Sequence, residues 1–385
     1  MQRTLATIEQ LRPKLSLLKD KRLSKKVTTG FDGFVDSIRK AVLQRTDSTV
    51  KYYKTLLEFG EKVKTLSGRS GQVEMEVQRI KMGGNAPILS NAMGTLGIKS
   101  TCIGSMGFPA TQHVFKNINS NCEIISLLEA GESDAIEFDD GKLIVSNLGM
   151  FRNYDWAYIK EKAGLENLRK IFLESDLVAF VDWANLLHAE NIWEGVLHDI
   201  IQPSGRKDFL FFFDLCDPSK KSPWEIDEIL DVISNFSSYG KVTLGLNTNE
   251  AMAIWSSLTG TVQAGSVEEA GKFIHYAMNI ETLLIHPIDR TIVFHKREMF
   301  ELHGRLVTKP KIQTGGGDNL NAGYIFGLLA GFSIPESMIL GMAASGSYTQ
   351  EGKSPTLEDI QQYLSVWENE LASESEHIGH EQHVA

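Results

Sequence analysis

Three cysteines in 385 residues, Cys102, Cys122 and Cys216, are too few and too widely spaced for a disulfide framework, and no zinc-ligand spacing joins them. They read as buried thiols in a reducing compartment. No apolar run approaches the length of a membrane span. Charges interrupt every apolar run of the N-terminal stretch MQRTLATIEQLRPKLSLLKDKRLSKK, which reads as an amphipathic helix rather than a signal peptide. Positive charge is also short: 39 Lys and Arg stand against 49 Asp and Glu, a formal net charge of -10. Such a surface repels nucleic acid and anionic membrane, so neither is expected as a partner. A small anionic ligand would need a local positive site, which a helix N-terminus can provide. These absences fit a cytoplasmic enzyme.

What is present is ordinary for a globular chain: 42% hydrophobic and 23% charged residues, enough for one large α/β unit. Short apolar runs alternate with helical patterns: VTTGF (27–31), KSTCIGSMG (99–107), DLVAFVDW (176–183), DFLFFFDLCD (208–217), KVTLGLN (241–247) and TLLIHP (282–287). That alternation predicts a mainly parallel sheet covered by helices on both faces, an α/β fold with three layers. Ligands of such sheets sit at the carboxyl ends of the strands, which here carry Asp32, Asp182, Asp214 and Asn247. Polar residues end most strands, so none of these is a site by itself.

Two stretches alternate with period two instead: QVEMEVQRIKMGG (72–84), and DAIEFDDGKLIVSN (134–147) with DDGK as its turn. Strands with one polar face suit a small β lid over a cleft. The segment VKYYKTLLEFGEKVKTLS (50–67) reads as a helical insertion. The expected organisation is a helical extension over 1–26, a core domain over 27–372 with lid strands within 68–84 and 123–150, and a flexible tail over 373–385. The tail carries His377, His380 and His383, which read as an unstructured polar segment rather than a metal site.

The stretch QTGGGDNLNAGYIFGLLAG (313–331) sets three glycines and an aspartate before an apolar helix. First-turn N–H groups are unpaired and the helix dipole adds partial positive charge there. Glycine lets an anion approach those groups without a Cβ in the way, so Gly315, Gly316 and Gly317 form a candidate anion hole. A Walker A loop would need Gly-Lys-Ser/Thr here, and a dinucleotide fingerprint would need glycine where Leu320 stands. Asp318 beside such a hole can accept a proton from an attacking hydroxyl; alternatively it is a helix cap. Capping explains the aspartate but not three glycines before it.

TGGGDNLNAG resembles the C-terminal signature of the PfkB, or ribokinase-like, carbohydrate kinases. Gln313 stands in place of that motif's first Asp and Gly316 in place of its Ala, while the Gly-x-Gly-Asp kernel is intact. The resemblance implies Asp318 as general base and the amides of Gly315, Gly316 and Gly317 as anion hole, with Thr314 on the nucleotide side. KMGGNAPILSNAMGTLGIKSTCIGSMG (81–107) resembles the N-terminal signature, which implies Gly83 and Gly84 against a sugar. Ile88 stands where many members have a substrate-binding Asn, and Asn85 is close enough to supply a polar contact. Asn247-Thr248-Asn249-Glu250 matches the family's Asn-x-x-Glu. This implies that Asn247 and Glu250 organise Mg2+ and phosphate through water, although the same residues also form an ordinary capped helix start.

The family places a substrate-binding Asp after the first strand's Gly, and in GFDGFVDSI both Asp36 and Asp32 compete for that role. The nucleotide turn Thr-x-Gly-x-x-Gly is replaced by His286-Pro287-Ile288-Asp289-Arg290, in which Arg290 either approaches phosphate or is solvated. LGMAASGSYTQEG (340–352) resembles the adenine-side segment, which implies room for the base at Ala344 and Ser347. The resemblance, over about 27–366, implies a ribokinase-like fold and ATP- and Mg2+-dependent transfer of phosphate to a sugar or polyol hydroxyl. It also leaves room for a homodimer paired through the lid. A nucleoside kinase is a second reading, with Phe108 or Phe151 stacking on a base. A sugar sensor without catalysis is a third.

Overall fold

The computed structural model describes residues 1–18, 23–261, 265–312 and 314–381, with the side chains of 375–381 left undescribed. Gln313 and His383 therefore fall outside what is described, as do the side chains of His377 and His380. Fourteen strands form two sheets among these residues. The larger is built from β1 (Lys26–Gly30), β5 (Lys99–Gly104), β6 (Cys122–Ser126), β9 (Leu177–Val181), β10 (Phe209–Asp214), β11 (Gly240–Leu246), β12 (Thr282–Ile285), β13 (Arg290–His295) and β14 (Glu298–His303). Its order is β14-β13-β12-β11-β10-β9-β1-β5-β6, with only β13 and β14 antiparallel to their neighbours. From β1 the chain first adds strands on one side and then returns to add β9 on the other. The switch point, where open α/β sheets bind ligands, thus lies between β1 and β9.

Both faces of this sheet are buried, which is why its strands read as near-continuous apolar runs. In β9, Val178 and Phe180 face one hydrophobic cluster while Leu177, Ala179 and Val181 face another. In β10, Phe209, Phe211 and Phe213 enter the first cluster and Phe212 the second. The first cluster includes the helices Trp156–Ala163, Ala189–Val196 and Pro223–Asn235. The second includes the helices Asn85–Thr95, Gly316–Leu329 and Ile334–Glu351. The three expected layers are present.

The N-terminal helix Gln2–Leu18 is built into the second cluster, where Ile8, Leu11 and Leu15 have no exposed surface. Replacing Leu11 with alanine should therefore destabilise the whole domain by about 2–4 kcal/mol, the range for Leu→Ala in cores. A denaturant titration would check this, and an unchanged midpoint would mean the helix is only an appendage. At the other end, the helix Leu357–Glu381 continues through most of the segment expected to be a flexible tail.

The second sheet comprises β2 (Phe34–Arg45), β3 (Val50–Tyr52), β4 (Glu74–Gly83), β7 (Gly131–Phe138) and β8 (Gly141–Asn147). Two expectations change here. The lid begins with β2, directly after β1, and β6 belongs to the central sheet rather than to the lid. The 50–67 segment is not wholly helical: β3 opens it, and the helix Leu56–Lys64 follows behind a Thr55–Glu58 capping box. That helix covers the outer face of the lid, where Phe59 packs with Ala41 and Ile136. Strand periodicity then turns Asp36, Lys81 and Lys142 to the inner face. Asp36 pairs with Lys81 across β2 and β4, and Lys142 with Glu137 across β8 and β7.

Candidate active site

The Gly316–Leu329 helix starts differently from its neighbours. The helices after Thr55, Ser222, Asn247, Ser266 and Ser333 each begin with a reciprocal capping box. This one begins at Gly315, with φ 95° and no side-chain cap. A Cβ on Gly315 would lie 2.7 Å from the Tyr348 hydroxyl, so both the backbone angle and the space require glycine. Tyr348 Oη donates to the Thr314 carbonyl at 2.8 Å, and Asn319 Nδ2 donates to the Gly315 carbonyl at 2.8 Å. The loop is thus held from both sides while its first-turn N–H groups stay uncapped. Gly316 and Gly317 open onto a cavity of about 420 Å3.

Asp318 is the third residue of this helix and makes no capping bond. Its Oδ1 instead accepts from Asn85 Nδ2 at 3.0 Å. Asp318 is only 8% exposed, and burial, reinforced by the nearby charge of Asp214, pushes its carboxyl well above the ordinary range. One turn on, Asn321 Nδ2 donates to Asp214 Oδ2 at 2.7 Å, joining the helix to the end of β10.

Asp32 and Asp36, the two competing acids, have different neighbours. Asp32 is fully buried, and its two oxygens accept the backbone N–H groups of Asn85 and Ala86 at 2.7 Å each. It therefore caps the Asn85–Thr95 helix and fixes Asn85 against Asp318. Burial and the adjacent Asp182 carboxylate raise its pKa. Gly84, at φ 90°, would carry a Cβ only 2.6 Å from Asp32 Oδ2. Asp36 lies on the inner face of the lid with Lys81 Nζ 4.0 Å away, and a Cβ on Gly83 would overlap its carboxylate. Burial raises the Asp36 pKa, and Lys81 and Lys142 oppose the shift. The Gly83-Gly84 pair thus makes room for the two acids. Ile88, which stands in the position of a substrate-binding Asn, is 7% exposed.

Two lysines escaped the sequence analysis. Lys81 and Lys142 arrive from β4 and β8; Lys142 Nζ donates to Thr314 Oγ1 at 2.8 Å and so ties the lid to the glycine loop. Desolvation lowers both ammonium pKa values; Asp36 opposes this at Lys81, and Glu137 with Asp36 opposes it at Lys142. The sequence signal for them was the period-two polar face of the lid strands.

Asn247 and Glu250 form a reciprocal box: Asn247 N and Nδ2 donate to Glu250 Oε2 and Oε1 at 2.8 and 2.6 Å, and Glu250 N donates back at 3.0 Å. Asn247 borders the cavity. Glu250 is 7% exposed, and burial with the charge of Asp214 raises its pKa well above normal. Among the described residues no three His, Cys, Asp or Glu side chains group closely enough to cage a metal. This donor set fits Mg2+ only as that ion is commonly held, by phosphate oxygens and water with a carboxylate behind them.

The adenine-side expectation needs a shift of helical phase. Ala344 is buried against Gly323 of the neighbouring helix, and Ser347 is also buried. The face of the Ile334–Glu351 helix on the cavity is Met342, Ser345, Gly346 and Thr349. Arg290 borders the cavity but is held by Glu268 at 2.8 Å and Glu301 at 3.1 Å. Phe151 packs in the core against Phe34, and Phe108 is 45% exposed.

A family model described as prokaryotic ketohexokinase matches residues 6–367 of the chain. A ketohexokinase of Haloferax volcanii is 22% identical over 343 residues, covering 88% of this chain and 91% of that protein. Among solved structures, a carbohydrate kinase from Agrobacterium tumefaciens matches with a TM-score of 0.60 at 17% identity, over 89% of this chain and 97% of that one. A putative ribokinase II from E. coli, in complex with ATP and Mg2+, matches with a TM-score of 0.60 at 12% identity, over 89% and 99%. These structures share the ribokinase-like fold expected from the motifs.

Proposed function

The chain belongs to the prokaryotic ketohexokinase family and is a carbohydrate kinase, and from that premise we propose that it transfers the γ-phosphate of ATP to a hydroxyl of a ketohexose, with Asp318 as general base. The observation that carries the chemistry is the uncapped glycine turn with a buried, Asn85-bound carboxylate beside it. A sugar hydroxyl between Asp318 and the glycine amides would lose its proton to Asp318 as its oxygen attacks the γ-phosphorus. The bond to the β-phosphate bridging oxygen breaks, and ADP leaves. The raised pKa of Asp318 makes it a stronger base than an exposed carboxylate. The amides of Gly315, Gly316 and Gly317 face the charge on the equatorial oxygens, where phosphoryl transfer gains most.

Asp36, on the lid, is the acid we assign to the sugar hydroxyls, with Asp32 and Gly83-Gly84 shaping the floor beneath them. Asn85 then orients Asp318. The phosphates would lie along Thr314 and the glycine turn, and the base between Met342, Ser345 and Gly346 on one side and Leu306 on the other. Mg2+, when bound, would supply charge neutralisation on the phosphate oxygens, with Glu250 and Asn247 behind its water shell. The inner face of the lid closes the site, and excluding water protects ATP from hydrolysis.

A nucleoside acceptor loses one of its two candidate stacking aromatics, because Phe151 is a core residue 1% exposed. The test is phosphoryl transfer from ATP with Mg2+ across fructose, other ketohexoses, aldohexoses, ribose, polyols and adenosine. Turnover is expected with ketohexoses, with kcat/KM at least tenfold above any aldose. A nucleoside preference, or a preferred donor other than ATP, would overturn the assignment.

A further inference from the structure

The cavity beside the glycine turn has little free positive charge for a triphosphate. Three of its lining residues can carry a positive charge: Arg290, Arg305 and His286. Both arginines are already committed. Arg290 is bound by Glu268, Glu301 and Asp289, and Arg305 by Glu370 at 2.6 Å. His286 is not. It follows β12, its backbone N–H donates to the Leu246 carbonyl at 3.0 Å, and its ring turns toward the glycine loop. A Cβ built on Gly317 would lie 3.6 Å from His286 Cε1 and 4.0 Å from Nε2. Neither ring nitrogen has a hydrogen-bond partner on another residue among the described residues.

We propose that His286 is a ligand of the donor nucleotide's phosphate chain, donating a ring N–H to a phosphate oxygen held over Gly316 and Gly317. The inference rests on the nucleotide reading of this cavity. Residues 286–290 stand where the resemblance leads one to expect a glycine turn, so the imidazole occupies space that such a turn would leave to backbone. The ring is within reach of an anion bound at the first-turn amides, and apart from a hydrogen bond with its own backbone it has no partner among the described residues to compete for it.

The charged residues that share the cavity wall with His286 are Arg290 and Arg305; Asp318 follows Gly317, which faces the ring, and Glu250 backs Asn247 on the same wall. The arginines are neutralised by their carboxylates, and burial raises the pKa of both acids. Burial likewise lowers His286 to about 4, so in the free protein it is neutral at pH 7. A triphosphate beside it favours the imidazolium and raises that value. The sign follows: nucleotide affinity should increase as pH falls through the pKa of the nucleotide-bound state and level off near 4, the value of the free state. Nucleotide binding should also take up protons.

The experiment is calorimetric titration of the full chain with ATP and Mg2+ at pH 6 in two buffers of different ionisation enthalpy, on wild type and His286→Gln. Steady-state KM values for ATP and for the sugar accompany it, and thermal melting checks the fold. Wild type should take up a fraction of a proton that His286→Gln does not. The variant's KM for ATP should rise about tenfold, as for loss of one charge-assisted hydrogen bond, with the sugar KM unchanged. Equal proton counts and equal ATP affinity in the two proteins would overturn the role of His286 while leaving the ATP assignment intact. Should wild type bind no ATP at all, both fall. If the variant does not fold, absence of proton uptake by wild type still refutes the inference.

Discussion

Replacing Asp318 with asparagine is expected to lower kcat by about three orders of magnitude, with sugar and nucleotide KM changed by only a fewfold. A positioned general base typically contributes 10²–10⁴-fold, which bounds the loss at about that scale. Asparagine keeps the size and can still pair with Asn85, whose amide sits 3.0 Å from Asp318 Oδ1. The fold should therefore survive, and relief of repulsion with Asp214 and Asp182 should leave the melting temperature unchanged or higher. The pH profile gives an independent check. Burial raises the Asp318 pKa, so the ionised base is present above that raised value and is lost as pH falls through it. The acid limb of kcat/KM should then lie above the ordinary carboxylate range near about 4. It should flatten in the asparagine variant. A kcat within tenfold of wild type would return Asp318 to a structural role.

The central strands could be read from sequence because β9 and β10 are buried on both faces, leaving runs such as LVAFV and FLFFFD without interruption. β2 was not read as a strand: its inward position 36 is an aspartate, and the GFD turn that precedes it made Asp36 look like a strand-end residue. The β13–β14 hairpin turns on Lys296-Arg297, with Lys296 at φ 54°, and lacks the Asn-Gly or Asp-Gly pair that announces such turns. In the site, the glycine turn, Asp318, Gly83-Gly84 and the Asn247–Glu250 box are local patterns, so a single stretch of sequence carries each. Ala344 and Ser347 do not line the cavity, because one residue is 100° of helix and small residues serve helix packing as readily as a ligand. Lys81 and Lys142 could not be assigned to the site in advance, since the place of Lys81 beside Asp36 and of Lys142 against Thr314 depends on how the lid folds back. The altered 286–290 turn was visible, but Arg290 drew notice there, and two of its three carboxylate partners, Glu268 and Glu301, come from elsewhere in the chain.

Replacing Lys142 with methionine is expected to reduce kcat by about a hundredfold, the scale for removing one donor that faces charge developing in a transition state. Lys142 Nζ gives one hydrogen bond, to Thr314 Oγ1 at 2.8 Å, and a lysine has two further N–H groups to offer. Thr314 directly precedes Gly315, so those protons lie beside the place where the transferred phosphoryl would rest. Lys142 is exposed on the lid, and partial desolvation nonetheless lowers its pKa, so an anion arriving there would meet a charge that its own binding further shields from water. The contact also crosses from β8 to the glycine loop, so it exists only while the lid is down. Lid closure would then complete the charge around the phosphate, which ties catalysis to the presence of sugar beneath Asp36. Methionine preserves the length and apolar stem of the side chain, and lid packing should persist because Phe59, Ala41 and Ile136 lie on the opposite face. Lys142→Arg should recover a substantial part of the rate, as the charge is kept. Single-turnover measurement separates this from slow lid opening: the loss should appear in the phosphoryl-transfer step, and a full-rate first turnover in the methionine variant would exclude Lys142 from the chemistry.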